Sequence, residues 1–333
     1  MKVAFFEVEP WQESYLKIHL KGVEALFFPE KLSMENIEKA QGCQIISVFI
    51  DSEINPAVAS ALPDVKMIAT RSTGFDHINV EACKQRNITV CNVPLYGENT
   101  VAEHTFALIL DISRKMHESI ERVKSEGFSV GGLRGFDLGG KTLGIVGMGS
   151  IGSHVARIAN GFEMNVLAFD KKQDKRLAKK LGFAYASFED VLKNSDIITL
   201  HVPYNQHTHH LINSGNIGLI KRGAYLINTA RGGIVETTAL VEALEKGILA
   251  GAGLDVLEEE CVIKEESQLL SPEFYKTCDV KTMLQNHILM EKKNVIITPH
   301  NAFNSNEAME RILETTTKNI QSFIKNKSIN TIP

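Results

Sequence analysis

The chain has 333 residues, long enough for two domains of ordinary size that each bury a core. Its hydrophobic share of 44% and charged share of 23% are those of a soluble globular protein, and a formal charge of -4 with both signs interspersed offers no basic face to nucleic acid. No apolar run approaches the roughly 20 residues that a membrane span requires.

The start "MKVAFFEVEP" has an apolar core too short for a secretory signal and reads as a first strand. Cys43, Cys83, Cys91, Cys261 and Cys278 are odd in number and lack any C-x-x-C pattern, so neither a disulfide framework nor a zinc site is expected. A reducing, cytoplasmic compartment is the simplest expectation.

Before residue 95 the apolar runs "KVAFF", "QIISVFI", "KMIATR" and "ITVCNV" predict strands, each followed by helical periodicity. Residues 99–126, "NTVAEHTFALILDISRKMHESIERVKSE", predict one long helix bridging two domains, with Thr100 and Glu103 at capping-box spacing. A second strand series follows between 142 and 300: "TLGIVG", "NVLAFD", "DIITLHVP", "AYLINTA", "GAGLDV" and "NVIITPH". The tail, 306–325, predicts an amphipathic helix with no strand after it, which can return to the first domain. Strands alternating with helices imply parallel sheets with right-handed crossovers, hence two α/β domains.

Within the second series, "LGIVGMGSIGSHVARIA" is an apolar strand, a glycine turn and a helix start. Gly147 permits the tight turn, Gly149 lets backbone approach a pyrophosphate, and Gly152 lets helix and strand pack closely. Asp170 ends the next strand, where a carboxylate accepts the adenosine ribose hydroxyls and repels a 2′-phosphate. That predicts NAD over NADP, a preference that Lys171 and Lys172 moderate.

Three later strand ends carry chemistry. "LINTARGGIVE" puts Arg231 where its guanidinium fork can hold a carboxylate, "GLDVLEEE" offers Asp255 and then Glu258, Glu259 and Glu260, and "VIITPHNAF" ends in His300. A histidine with an acid partner is suited to general acid–base work near neutral pH. His104, His117, His209 and His210 are read as structural or exposed, and no metal-ligand spacing emerges.

Taken together, "RSTGFDHI", "NVPLYGENTVAEH", "GMGSIG", "NTARGG", "GLDVLEEE" and "TPHNAF" resemble the D-specific 2-hydroxyacid dehydrogenase family, in order and over nearly the whole chain. Within it the likeness is to the fermentative D-lactate dehydrogenases. The resemblance implies a Rossmann NAD-binding domain, 100–300, inserted into a split flavodoxin-like substrate domain, 1–99 and 301–333. It also implies a homodimer formed mostly by the inserted domain, and domain closure with hinges near the two crossings.

By the same resemblance His300 is the proton donor and acceptor, Arg231 binds substrate, and Glu260, five residues after Asp255, is the acid that orients the histidine. The cofactor residues implied are Gly147, Gly149, Ser150, Ile151, Gly152, Asp170, Val202, Pro203, Thr208, Thr229, Ala230, Arg231 and Asp255, the last near the carboxamide. The substrate contacts implied are the amides of Thr73 and Gly74, then Tyr96, Arg231 and Phe303. The expected reaction is reduction of pyruvate to D-lactate by NADH. The alternatives are a larger 2-keto acid, a glyoxylate or hydroxypyruvate reductase, or an NAD(H)-sensing corepressor. The length of 261–293 and the aromatic Phe303 point to the D-lactate subgroup.

Overall fold

Five short parallel strands organise the two ends of the chain: β1 (Lys2–Phe5), β2 (Glu24–Phe27), β3 (Ile45–Val48), β4 (Met67–Thr70) and β5 (Thr89–Cys91). This is a computed structural model that describes residues 1–125, 127–259 and 279–333. The chain divides into two units, one of Met1–Tyr96 with Asn304–Pro333, the other of Gly97–Phe303.

In the first unit the strand order is β2-β1-β3-β4-β5, a doubly wound sheet with its switch point between β1 and β3. β3 and β4 are buried on both faces, as strands covered by helices on each side must be. One face packs Phe5, Ile45 and Met67 against Leu313 and Ile320, which belong to the helix Asn306–Ile324. At about 1.5–3 kcal/mol for each such side chain withdrawn from water, the returning tail is part of this core. The last residues also protect an edge, since Asn92 N–H donates to Asn330 O at 3.1 Å and Ile332 N–H to Val90 O at 2.9 Å beside β5.

The sequence reading finds four strands here and misses β2. An edge strand that is only half buried, with Glu24 at its start, shows no continuous apolar run.

Just past β4, Arg71 is 2% exposed and donates to the carbonyls of Phe6 at 2.6 Å and Glu7 at 2.8 Å and to Ser47 Oγ at 3.1 Å. Burial lowers its pKa to about 10, which leaves it charged at neutral pH. It thereby ties the carboxyl ends of β1, β3 and β4 beneath the turn that follows.

The second unit has β6 (Thr142–Val146), β7 (Asn165–Phe169), β8 (Ala184–Tyr185), β9 (Ile197–Leu200), β10 (Ala224–Asn228), β11 (Leu249–Leu254) and β12 (Val295–Ile297). Their order is β12-β11-β10-β9-β6-β7-β8, all neighbours parallel, so the order reverses between β6 and β9. The two sheets bear out the expected pair of doubly wound α/β domains. β8, only two residues long, was not anticipated.

The bridging helix needs correction. Residues 99–126 do not form one helix: Glu98–Arg114 ends where Lys115 turns left-handed with φ 51°, and Met116–Ser125 begins anew. The Asp111 carboxylate accepts the His117 N–H at 2.7 Å, which stabilises the restart. Nor is Thr100 the N-cap, because Gly97 takes that place and Val101 N–H already donates to Gly97 O at 2.8 Å. Thr100 lies inside the first turn, so the spacing to Glu103 is coincidental.

Candidate active site

The candidate side chains of the second unit all follow carboxyl ends of one parallel sheet, so topology alone gathers them along one edge at the switch point. After β6, Gly147 has φ 100°, and a Cβ there would overlap the His201 carbonyl. A Cβ on Gly152 would overlap the Gly147 carbonyl. Gly149, by contrast, faces open space, and the helix Ser150–Gly161 that it starts has no side-chain cap. The helix N-terminus therefore offers the amides of Ser150 and Ile151 to an anion, and a dinucleotide pyrophosphate fits.

After β7, the Asp170 carboxylate accepts the amides of Met148 at 2.7 Å and Lys172 at 2.8 Å. The first of these joins Asp170 to the glycine turn, so the carboxylate is held beside it.

After β9 come His201, Val202 and Pro203. Burial drives the His201 ring down to about 3; its Nε2 pairs with Thr199 Oγ1 at 2.9 Å, while Nδ1 is buried with no partner among the described residues. The sequence offered no signal for this. Thr208, expected at the cofactor, has its hydroxyl engaged by Pro203 O at 2.6 Å and Asn205 N–H at 2.8 Å. It braces its own loop.

After β10, the Thr229 hydroxyl meets Thr105 Oγ1 at 2.9 Å, and Asn228 locks the turn by accepting Ala230 N–H at 3.1 Å and donating to Arg231 O at 2.9 Å. Arg231 is half-buried with extended backbone, and one guanidinium nitrogen donates to Ala230 O at 2.8 Å.

After β11, Asp255 is 1% exposed. Burial acts to raise its pKa, but hydrogen bonds from His104, Thr298 and the amides of Asn301 and Ala302 outweigh that and hold it below the usual carboxylate range. It therefore anchors the loop after β12, a role the sequence reading did not contain.

Among the acids that follow, Glu258 pairs with His210 at 2.6 Å and accepts Thr237 Oγ1 at 2.7 Å, so both its oxygens are engaged away from the β12 loop. Glu259 accepts the Asp279 amide at 3.0 Å, and burial pushes its pKa up. Glu260, the predicted acid partner, lies outside the described residues. His210, read as structural or exposed, is hydrogen-bonded through Nε2 to the Glu258 carboxylate, a structural part.

After β12, His300 is half-buried with φ 51°, its N–H donating to Asp255 O at 2.8 Å. Few non-glycine residues hold this left-handed conformation, and it marks a turn fixed by its surroundings. Phe303, three residues on, is half-buried.

The remaining candidates lie in the first unit. Thr73 Oγ1 donates to Val93 O at 2.7 Å, Asn92 Nδ2 to Thr73 O at 2.8 Å, and Ser72 Oγ to Gly74 O at 2.6 Å. The amides of Thr73 and Gly74 make no hydrogen bond among the described residues, so this braced turn presents two adjacent donors. Tyr96 accepts Arg311 Nε at 2.7 Å on its carbonyl.

A Rossmann sheet with a glycine turn, a carboxylate at the end of the next strand, and Arg and His at nearby strand ends fits a nicotinamide-dependent oxidoreductase. Residues 106–302 match the profile described as D-isomer specific 2-hydroxyacid dehydrogenase, NAD binding domain. The chain is 40% identical over 306 residues to the D-specific alpha-keto acid dehydrogenase of Enterococcus faecium, covering 91% of this chain and 90% of that one. It is 32% identical over 335 residues to the D-lactate dehydrogenase of Escherichia coli K12, covering 98% of each. A crystal structure of D-lactate dehydrogenase from Aquifex aeolicus, complexed with NAD and lactic acid, is similar with TM-score 0.85 and 38% identity, over 97% of this chain and 96% of that one. The chain belongs to the D-isomer-specific 2-hydroxyacid dehydrogenase family and is an NAD-dependent oxidoreductase.

Two glycines separate cofactor binding from folding. Gly149→Ala projects a methyl into open space and is expected to weaken NADH binding about tenfold or more with little change in unfolding temperature. Gly152→Ala drives a methyl into backbone and is expected to cost about 1–3 kcal/mol of stability. NADH titration by fluorescence, beside thermal unfolding, reads both; undiminished affinity in Gly149→Ala would place the pyrophosphate elsewhere.

His201 sets a pH dependence of stability. Its folded pKa lies below the unfolded value of about 6.5, so the unfolded chain binds the extra proton and stability falls as pH drops below that value toward 3. Between pH 6.5 and 5 the loss is expected to reach ~2 kcal/mol, and His201→Asn removes it. Urea unfolding at the two pH values decides; equal losses in parent and variant would show that the ring protonates freely in the folded state.

Proposed function

We propose that the protein is a D-lactate dehydrogenase that interconverts pyruvate and D-lactate, with His300 as acid and base. The observation that carries this reading is the pair of strand ends flanking β11: Arg231 follows β10 and His300 follows β12 in one sheet. Strands two places apart are about 10 Å apart, a gap that two side chains and a three-carbon acid can span.

Bound NADH supplies the hydride that C2 of the keto acid receives. Arg231 holds the carboxylate by its fork and steadies the negative charge that develops on the keto oxygen. His300 donates a proton to that oxygen, completing pyruvate + NADH + H⁺ → D-lactate + NAD⁺, and takes a proton from the hydroxyl in reverse. Asp170 selects NAD by its contact with the ribose. Glu260 orients His300, the Thr73 and Gly74 amides and Tyr96 serve the substrate carboxylate, and Phe303 packs on its methyl. The names of the relatives and the aromatic Phe303 support pyruvate over bulkier acids.

The substrate-domain assignment of the first unit, cytoplasmic location and a homodimer belong to the same proposal. The helix Met116–Ser125 buries none of its residues, and Met116, Ile120 and Val123 expose about half of each side chain on one face, which suits a second copy. Among the described residues no helix is long and apolar enough to cross a membrane.

The test is NADH oxidation with pyruvate, glyoxylate, hydroxypyruvate, oxaloacetate, 4-methyl-2-oxopentanoate and phenylpyruvate, ranked by kcat/KM, with NADPH in parallel. Pyruvate with NADH is expected to lead. A bulkier acid in first place would keep the mechanism and overturn the substrate.

A further inference from the structure

The helix Glu98–Arg114 carries His104 to the base of the loop that presents His300. His104 Nε2 lies 3.0 Å from Thr298 Oγ1 and 3.3 Å from Asp255 Oδ1. Thr298 spends its own hydroxyl proton on Asp255 Oδ1 at 2.5 Å, so toward His104 its oxygen can only accept. Nε2 therefore carries the hydrogen of the His104–Thr298 bond.

The same Asp255 carboxylate accepts the amides of Asn301 and Ala302, each at 2.8 Å, and the Asp255 carbonyl accepts His300 N–H at 2.8 Å. One buried residue thus gathers, through its carboxylate and its carbonyl, bonds that hold residues 298–302, and with them the left-handed His300. A strained residue keeps its conformation only while its neighbours over-determine it.

We propose that His104 is a positioning residue for His300, its Nε2–H holding Thr298 and Asp255 in the arrangement that fixes the His300 turn. Without that donor, Thr298 Oγ1 loses the hydrogen bond it accepts and Asp255 Oδ1 a neighbouring N–H in a buried setting, and the turn relaxes. A shift of about 1 Å at an acid–base group costs on the order of 100-fold in rate. The inference rests on His300 as the acid and base.

The test uses the full chain and whichever keto acid it reduces fastest. His104→Leu keeps bulk but removes the donor, and is expected to lower kcat about 10- to 100-fold with KM for NADH within about twofold. His104→Gln, whose amide nitrogen reaches nearly as far, is expected to recover kcat to within about threefold of the parent. Thr298→Val is expected to match His104→Leu, and the double variant to be no slower than the slower single one.

Parental kcat in His104→Leu, a His104→Gln as slow as His104→Leu, or losses that multiply in the double variant would each overturn the proposal. If leucine here prevents folding, His104→Asn replaces it: too short to reach Thr298, it is expected to be slow, and parental speed overturns the proposal. His300→Asn separates the two levels. If it keeps turnover, the acid–base reading itself fails; if it is inactive while His104→Leu is unimpaired, only the positioning role fails.

Discussion

His300→Asn is expected to lower kcat for keto-acid reduction about 10³-fold or more, while NADH still binds and the fold survives. Asparagine is the informative replacement because it tolerates left-handed backbone, and His300 sits at φ 51°. The turn held by Asp255 can therefore stay as it is, so the loss belongs to the ring. General acid–base catalysis by a placed group is worth about 10²–10⁴-fold.

The wild-type pH profiles follow from the same role. With His300 in the proposed acid–base role, reduction is expected to weaken as pH rises and oxidation as pH falls. Both limbs are expected to vanish from the residual activity of His300→Asn. Steady-state kinetics in the two directions, with an NADH titration, provide the check; a variant that keeps its rate and its limbs would remove His300 from the chemistry.

Arg231→Lys is expected to cost about 10²–10³-fold in kcat/KM for the keto acid, far more than a charge-conserving change implies. Lysine keeps the positive charge but cannot present two parallel N–H groups to a carboxylate while also addressing the keto oxygen. Because that oxygen gains charge only as the reaction proceeds, part of the loss is expected in kcat and part in KM. The surrounding turn is held by Asn228 through backbone groups, so it outlasts the substitution. Substrate-saturation curves for parent and variant measure the split. Near-parental kcat/KM would mean that the carboxylate is bound by other groups.

Much of the layout could be read from the chain because the signals are local. Short apolar runs between turn residues marked ten of the twelve strands among the described residues, and the two missed, β2 and β8, are half-buried or only two residues long. Gly147, Gly149 and Gly152 announced their turn by spacing, and each takes a distinct steric role in it. The bridging helix misled because apolar periodicity continues through Lys115, where a left-handed residue and the Asp111 carboxylate divide it.

The sequence by itself determined the alternation of strand and helix, and with it a parallel sheet whose carboxyl ends must collect Asp170, Arg231, Asp255 and His300. Only the tertiary structure decided which polar groups meet. His104 reaches Thr298 across 194 positions, Glu258 is drawn to His210 across 48, and Arg71 is buried against carbonyls 64 and 65 positions away. Such pairings leave no spacing in the chain; they arise because a buried donor or acceptor must find its partner wherever packing brings one.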